Sequence, residues 1–142
     1  MRQINKAGLD IIKSCESCHL KAYRCPAGIW TIGWGSTRRV REGMSITQFE
    51  ADMRLDADTD AAEESVRTEV KVELTDNQFS ALVSFCFNVG EGNFEKSTLL
   101  KKLNQGNYGA VATEMHKWIY ANRKKLNGLV IRRKAEGELF NQ

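Results

Sequence analysis

Three side chains near the start of the chain carry groups that can do chemistry together. Glu16 supplies a carboxyl, Cys25 a thiol and Thr31 a hydroxyl, with eight residues between the first two and five between the last two. Such a set suits cleavage of a glycoside. That reaction needs an acid to protonate the leaving oxygen, and a means of bringing water or a nucleophile to the anomeric carbon. A glutamate beside an apolar hairpin can be kept protonated by desolvation, which raises a carboxyl pKa. The position where a second carboxylate is expected holds Cys25. An ordinary thiol, with a pKa of about 8.5, is only a few per cent thiolate at pH 7. It can position a water, deprotonate it or attack the sugar, and Thr31 can hold the same water. Residue types alone leave these roles open.

The elements that must position these groups follow from periodicity. Residues 4–16 read as a helix, with Ile4, Leu9, Ile12 and Cys15 on one face and Glu16 at its last turn. Residues 20–35 switch to a strand-like pattern around a Pro26-Ala27-Gly28 turn, which predicts a hairpin with Cys25 and Thr31 on facing arms. Trp30 and Trp34 suit either core packing or stacking on sugar. Ser45 and Gln48 are spaced as a capping box for one or two helices over 47–71. Thr75 and Gln78 form a second box, opening an apolar helix with Phe79, Leu82, Val83 and Cys86 on one face and Gly90 at its end. Ser97 and Thr98 start a further helix through Leu103. Another is predicted over 108–121, broken by Gly128, and a last one over 129–140 with Ile131, Ala135 and Phe140 among its apolar positions.

Length and composition bound the reading. A chain of 142 residues suits one domain, or a small domain of two lobes, with enough surface to bury a core without disulfides. There is no run of about 18 apolar residues and no apolar secretion-signal core at the N-terminus. The expectation is a protein that accumulates in a cytoplasm, with no stable membrane insertion. Cys15 and Cys18 form a CxxC with no second pair, so no metal and no cofactor are expected, and the four cysteines read as reduced thiols. Residues 96–142 hold ten Lys/Arg against three Asp/Glu. That basic half suits an anionic polymer, nucleic acid or bacterial wall, and also suits plain solvated helix faces. The ten acids from Glu50 to Asp76 read as solvated surface.

The stretch from Glu16 to Thr37 resembles the active-site motif of phage-type lysozymes, the endolysins of tailed bacteriophages. Their pattern is Glu, eight residues, Asp or Cys, five residues, Thr. Glu16, Cys25 and Thr31 match it without a gap. Residues 81–104, ALVSFCFNVGEGNFEKSTLLKKLN, are similar to the family's central-helix segment, and residues 128–140, GLVIRRKAEGELF, to its last helix. The resemblance implies an α+β lysozyme-like fold. A β-hairpin lobe of about residues 17–45 would face a helical lobe of residues 1–16 and 46–142, with the active-site cleft between them.

The implied activity is that of a muramidase cutting the β-1,4 bond between N-acetylmuramic acid and N-acetylglucosamine in peptidoglycan. Glu16 would be the general acid, and Cys25 and Thr31 would place the water. Thr37, Phe87 and Ser97 would line the sugar groove, and Arg132 or Arg133 would pair with Glu16 unless they are a surface pair. A monomer is implied, held in the host cytoplasm and released through a holin to act on the wall in the periplasm. Four positions depart from the family pattern: Ser17 where Gly is usual, Ser36 where His precedes the Thr, and Asn122-Arg123 in place of Gly-Gly.

Two other functions fit parts of the sequence. A lytic transglycosylase needs one acid and no water, which Thr31 at water-positioning spacing argues against. A basic helical nucleic-acid binder would use residues 96–142 and show salt-sensitive binding to DNA.

Overall fold

The computed structural model describes residues 1–142. The first helix, α1 (Lys6–Cys15), starts two residues later than its periodicity suggests, because Asn5 caps it. The Asn5 side chain accepts from Gly8 N–H at 3.0 Å. Ile4 stays outside the helix and donates its N–H to Glu63 at 2.7 Å. The chain forms two compact units, one of Met1–Ile12 with Ala61–Gln142 and the other of Lys13–Asp60.

The unit Lys13–Asp60 holds the hairpin. β1 (His19–Arg24) and β2 (Trp30–Gly33) pair antiparallel, with Tyr23 opposite Thr31, Arg24 opposite Trp30, and a bulge between His19 and Tyr23. The turn is tight because Gly28 N–H donates to Cys25 C=O at 2.8 Å, and Cys25 N–H to Ile29 C=O at 3.0 Å. Gly28, at φ 81°, takes the left-handed position that a three-residue hairpin loop requires. Residues 44–46 return beside β1, with Ala22 N–H on Met44 C=O and Ile46 N–H on Leu20 C=O.

That pairing engages Ser45, which bridges to Lys21, so the capping box falls elsewhere than expected. It is Thr47 and Glu50 that cap α2 (Gln48–Glu69), each side chain accepting the other's backbone N–H at 3.1 Å. Ile32, Ala51 and Leu55 are buried, and Trp34 donates its indole N–H to Asp52 at 2.8 Å.

In the other unit the core gathers around α3 (Asp76–Val89), which opens on the expected Thr75–Gln78 capping box. Phe79 and residues 81–83, 85 and 86 are buried there, with Leu99, Leu103, Val111, Met115, Leu139 and Phe140 in the same cluster. Phe85 meets Phe94 and Trp118 edge-on, at ring separations of 6.5 and 5.9 Å. Each such buried aliphatic or aromatic side chain stabilises the fold by roughly 1.5–3 kcal/mol. α4 (Glu91–Lys96) and α5 (Thr98–Asn104) follow.

The helix expected over 108–121 does not run that far. A 3₁₀ turn at Tyr108–Ala110 leads into α6 (Val111–Met115), and the chain then forms a short hairpin, β3 (Tyr120–Ala121) with β4 (Lys124–Lys125). Asn122 and Arg123, both at positive φ, make a turn that no helix can contain.

α7 (Asn127–Phe140) begins before Gly128 rather than after it. Of its expected apolar positions Phe140 is buried and Ile131 is not. Ile131 is 67% exposed, whereas Arg132, Arg133 and Glu136 are buried. The Glu136 carboxylate accepts from Arg132 Nε at 3.2 Å, Arg133 Nη1 at 2.6 Å and the Ser84 hydroxyl at 2.6 Å. Buried charges persist only when paired and hydrogen-bonded in this way. Arg133 also lies over the Phe85 ring and donates to Trp118 C=O and to Asn88. The two arginines are thus not a surface pair.

Candidate active site

Glu16 follows directly on the last residue of α1, at a bend, and is half-buried. Its carboxylate lies against Gly35. A Cβ at Gly35 would sit 3.1 Å from Glu16 Oε2, and the backbone there has φ 88°. A glycine therefore serves two needs at this position, close approach of the acid and a left-handed backbone.

Cys25 ends the first arm of the hairpin, where the turn folds its own backbone over the sulfur. Hydrogen bonding from the backbone of Ile29, then of Ala27, from the Thr31 side chain and from the backbone of Gly28 holds the thiol below its ordinary range, against desolvation that pushes it up. Thr31 is buried and also donates to Ile29 C=O at 3.0 Å. One hydroxyl proton thus has two acceptors.

The hairpin register brings in a residue that sequence reasoning missed. Tyr23 is the cross-strand partner of Thr31, and paired residues share a face of the ribbon. Burial raises the Tyr23 phenol above its ordinary range, and the negative charges of Glu16 and Cys25 raise it further. Tyr23 is thus within electrostatic reach of both groups. The signal was present: counting outward from the Pro26-Ala27-Gly28 turn pairs 24 with 30 and 23 with 31.

The other expected residues divide between the two units. Thr37 is exposed and belongs to the same unit. Phe87 and Ser97 belong to the other unit, where Phe87 packs partly buried against the helical core. The Ser97 hydroxyl is committed to a helix start, accepting from Leu100 N–H at 3.1 Å and donating to Phe94 C=O at 2.7 Å. Ser36 is buried and accepts from Arg54 at 3.3 Å.

The family model described as phage lysozyme matches residues 13–136. The chain belongs to the phage lysozyme family. It is 43% identical over 141 residues to the endolysin of Acyrthosiphon pisum secondary endosymbiont phage 1, covering 96% of this chain and 97% of that one. It spans 55% and 53% of the endolysins of Bacillus phages PZA and B103. A relative named SAR-endolysin, from Enterobacteria phage P21, is 34% identical over 118 residues, covering 82% of this chain and 72% of that one.

Among solved structures, the muramidase domain of SpmX from Asticaccaulis excentricus matches with a TM-score of 0.93 at 38% identity, covering 100% of this chain and 99% of that one. A point mutant of P22 lysozyme matches with a TM-score of 0.90 at 37% identity, covering 100% of both chains. The fold is lysozyme-like, mostly helical with two small antiparallel hairpins. This phage lysozyme is a glycoside hydrolase, a muramidase that lyses peptidoglycan.

Proposed function

We propose that Glu16 is the general acid and that Cys25 and Thr31 place the attacking water, in hydrolysis of the β-1,4 bond between N-acetylmuramic acid and N-acetylglucosamine. The observation that supports this reading is the tight hairpin turn, whose register holds Cys25 and Thr31 on facing arms, and whose backbone also lowers the thiol. In the proposed step, Glu16 gives its proton to the leaving oxygen as the glycosidic C–O bond breaks. Water adds to the anomeric carbon and yields its proton to the Cys25 thiolate. Thr31 orients that water. Thr37, exposed beside Ser36, is a proposed sugar contact.

Mass spectrometry of digested sacculi tests the bond and the reaction type. Reducing N-acetylmuramic acid ends support hydrolysis at this bond. Anhydro-sugar ends would instead identify a transglycosylase.

For delivery, the reading is accumulation in the host cytoplasm and release through a holin to the periplasm. Relatives named SAR-endolysin hint at a holin-independent route for those proteins. No helix of this chain is long and apolar enough to cross a membrane. Expression without a holin separates the two routes. Lysis only after chloroform or a co-expressed holin supports the first route, and lysis without either supports the second.

A further inference from the structure

The hairpin β3–β4 has a feature that its fold does not require. Tyr120 pairs with Lys125 and Ala121 with Lys124, so the connection is two residues long. Both connecting residues have positive φ, 51° at Asn122 and 66° at Arg123. A two-residue turn of this kind favours Asn followed by Gly, because both central residues must be left-handed. Asn122 conforms. Arg123 stands where glycine fits freely and where an L side chain is held against steric repulsion.

The chemistry of the tip is one-sided. Arg123, Lys124 and Lys125 are consecutive, residues 120–128 are all exposed, and no Asp or Glu occurs between Glu114 and Glu136. Four other cations of this unit are engaged, Lys102 and Lys117 with Glu114 and Arg132 and Arg133 with Glu136, while Lys96, Lys101 and Lys134 are exposed singly along the chain. Those of the tip face water. Tyr120, 61% exposed, is the cross-strand partner of Lys125, so a ring and an ammonium share one face of the ribbon. Such a face suits a ligand with an apolar body and a carboxylate. The Arg123 guanidinium adds a fork able to grip a carboxylate with two bonds.

We propose that this hairpin is a second wall-binding site, built from none of the proposed catalytic residues, and that it takes the carboxylates of the peptides carried by peptidoglycan. The proposal rests on the muramidase reading for the identity of the polymer. Three cations make a weak contact alone. On a wall that repeats its carboxylates along every strand, a weak second contact multiplies residence. Nucleic acid is the less favoured partner, since three cations neutralise few phosphates.

The test uses the full chain carrying Glu16→Gln, pelleted with isolated sacculi at low and at physiological salt. In that background, Arg123→Gly/Lys124→Gln/Lys125→Gln is expected to weaken binding about tenfold at low salt, with the difference shrinking as salt rises. Arg123→Gly alone is expected to raise Tm while lowering binding, because it relieves the backbone and removes the guanidinium. Amidating the sacculus carboxylates is expected to abolish the difference between the triple variant and its parent.

Equal pelleting of the triple variant and its parent on untreated sacculi overturns the proposal. So does an undiminished difference on amidated sacculi, or tighter retention on double-stranded DNA than on sacculi at matched salt. Release of soluble sugar by the Glu16→Gln protein reports on the catalytic reading alone, so the two failures are distinguishable.

Discussion

Gly35 and Glu16 meet so closely that a methyl group on the first would stand 3.1 Å from Oε2 of the second. The glycine's φ of 88° closes the position to most side chains independently of that contact. Gly35→Ala is therefore expected to affect both fold and function. It should lose about 1–3 kcal/mol of stability for the backbone. It should also lower activity on sacculi by up to about 100-fold, since a displacement of about 1 Å at a catalytic group has that effect. Denaturant unfolding and initial clearing rates measure the two. A variant with normal activity would show that the carboxylate is not held where the glycine admits it.

Cys25 yields a prediction about pH. Hydrogen bonding from the Ile29 backbone and the rest of the turn holds its thiol below the ordinary thiol range. If the thiolate is the working form, kcat rises with pH through that lowered value and is smaller below it. Cys25→Asp should retain activity and move the rising limb to the carboxylate range, several units more acid. Cys25→Ala should be severely impaired across the whole range. A Cys25→Asp protein with an unmoved limb would assign the titration to another group.

Much of this arrangement was legible in the sequence, and the failures have physical causes. The Thr75–Gln78 cap and the apolar face of α3 depend on neighbouring residues alone, so spacing revealed them. The Pro-Ala-Gly turn likewise announced the hairpin that holds Cys25 and Thr31. The hairpin at 120–125 was missed because Val111, Met115 and Trp118 keep a helical spacing up to its edge, while Arg123 takes a left-handed conformation that its type does not advertise. The burial of Arg132, Arg133 and Glu136 in α7 was not legible because a buried Arg–Glu cluster inverts the rule that charge lies outside. Tyr23 was overlooked because its relevance depends on register, a property of the pair of strands.

The thiols should differ in reactivity. Burial pushes the Cys86 thiol up to about 12, while Cys25 is lowered. Iodoacetamide at neutral pH is expected to modify Cys25 in the folded protein and to leave Cys86 unmodified until the protein unfolds. Peptide mapping after timed quenching measures both. Equal rates in the native protein would contradict the burial of Cys86.

Glu114 should make stability depend on pH. Hydrogen bonds from Lys117 at 2.8 Å and Lys102 at 3.0 Å lower its carboxyl pKa, against the desolvation of a buried group. A carboxyl lowered by folding contributes stability that is present above its unfolded pKa and lost as pH falls through its folded value. Glu114→Gln is expected to be less stable than the parent at pH 7, by about 1 kcal/mol given the partly exposed lysines. The gap should close below the carboxylate range. Unfolding midpoints in urea at pH 7 and pH 3 measure the difference, and a constant gap would contradict the assignment.

The role of Glu16 is tested most directly by one comparison: clearing of isolated sacculi by the parent and by Glu16→Gln, with circular dichroism confirming equal folding. The general-acid role predicts that the variant loses about 10²–10⁴-fold in rate. A folded Glu16→Gln protein that clears sacculi at the parental rate would contradict it.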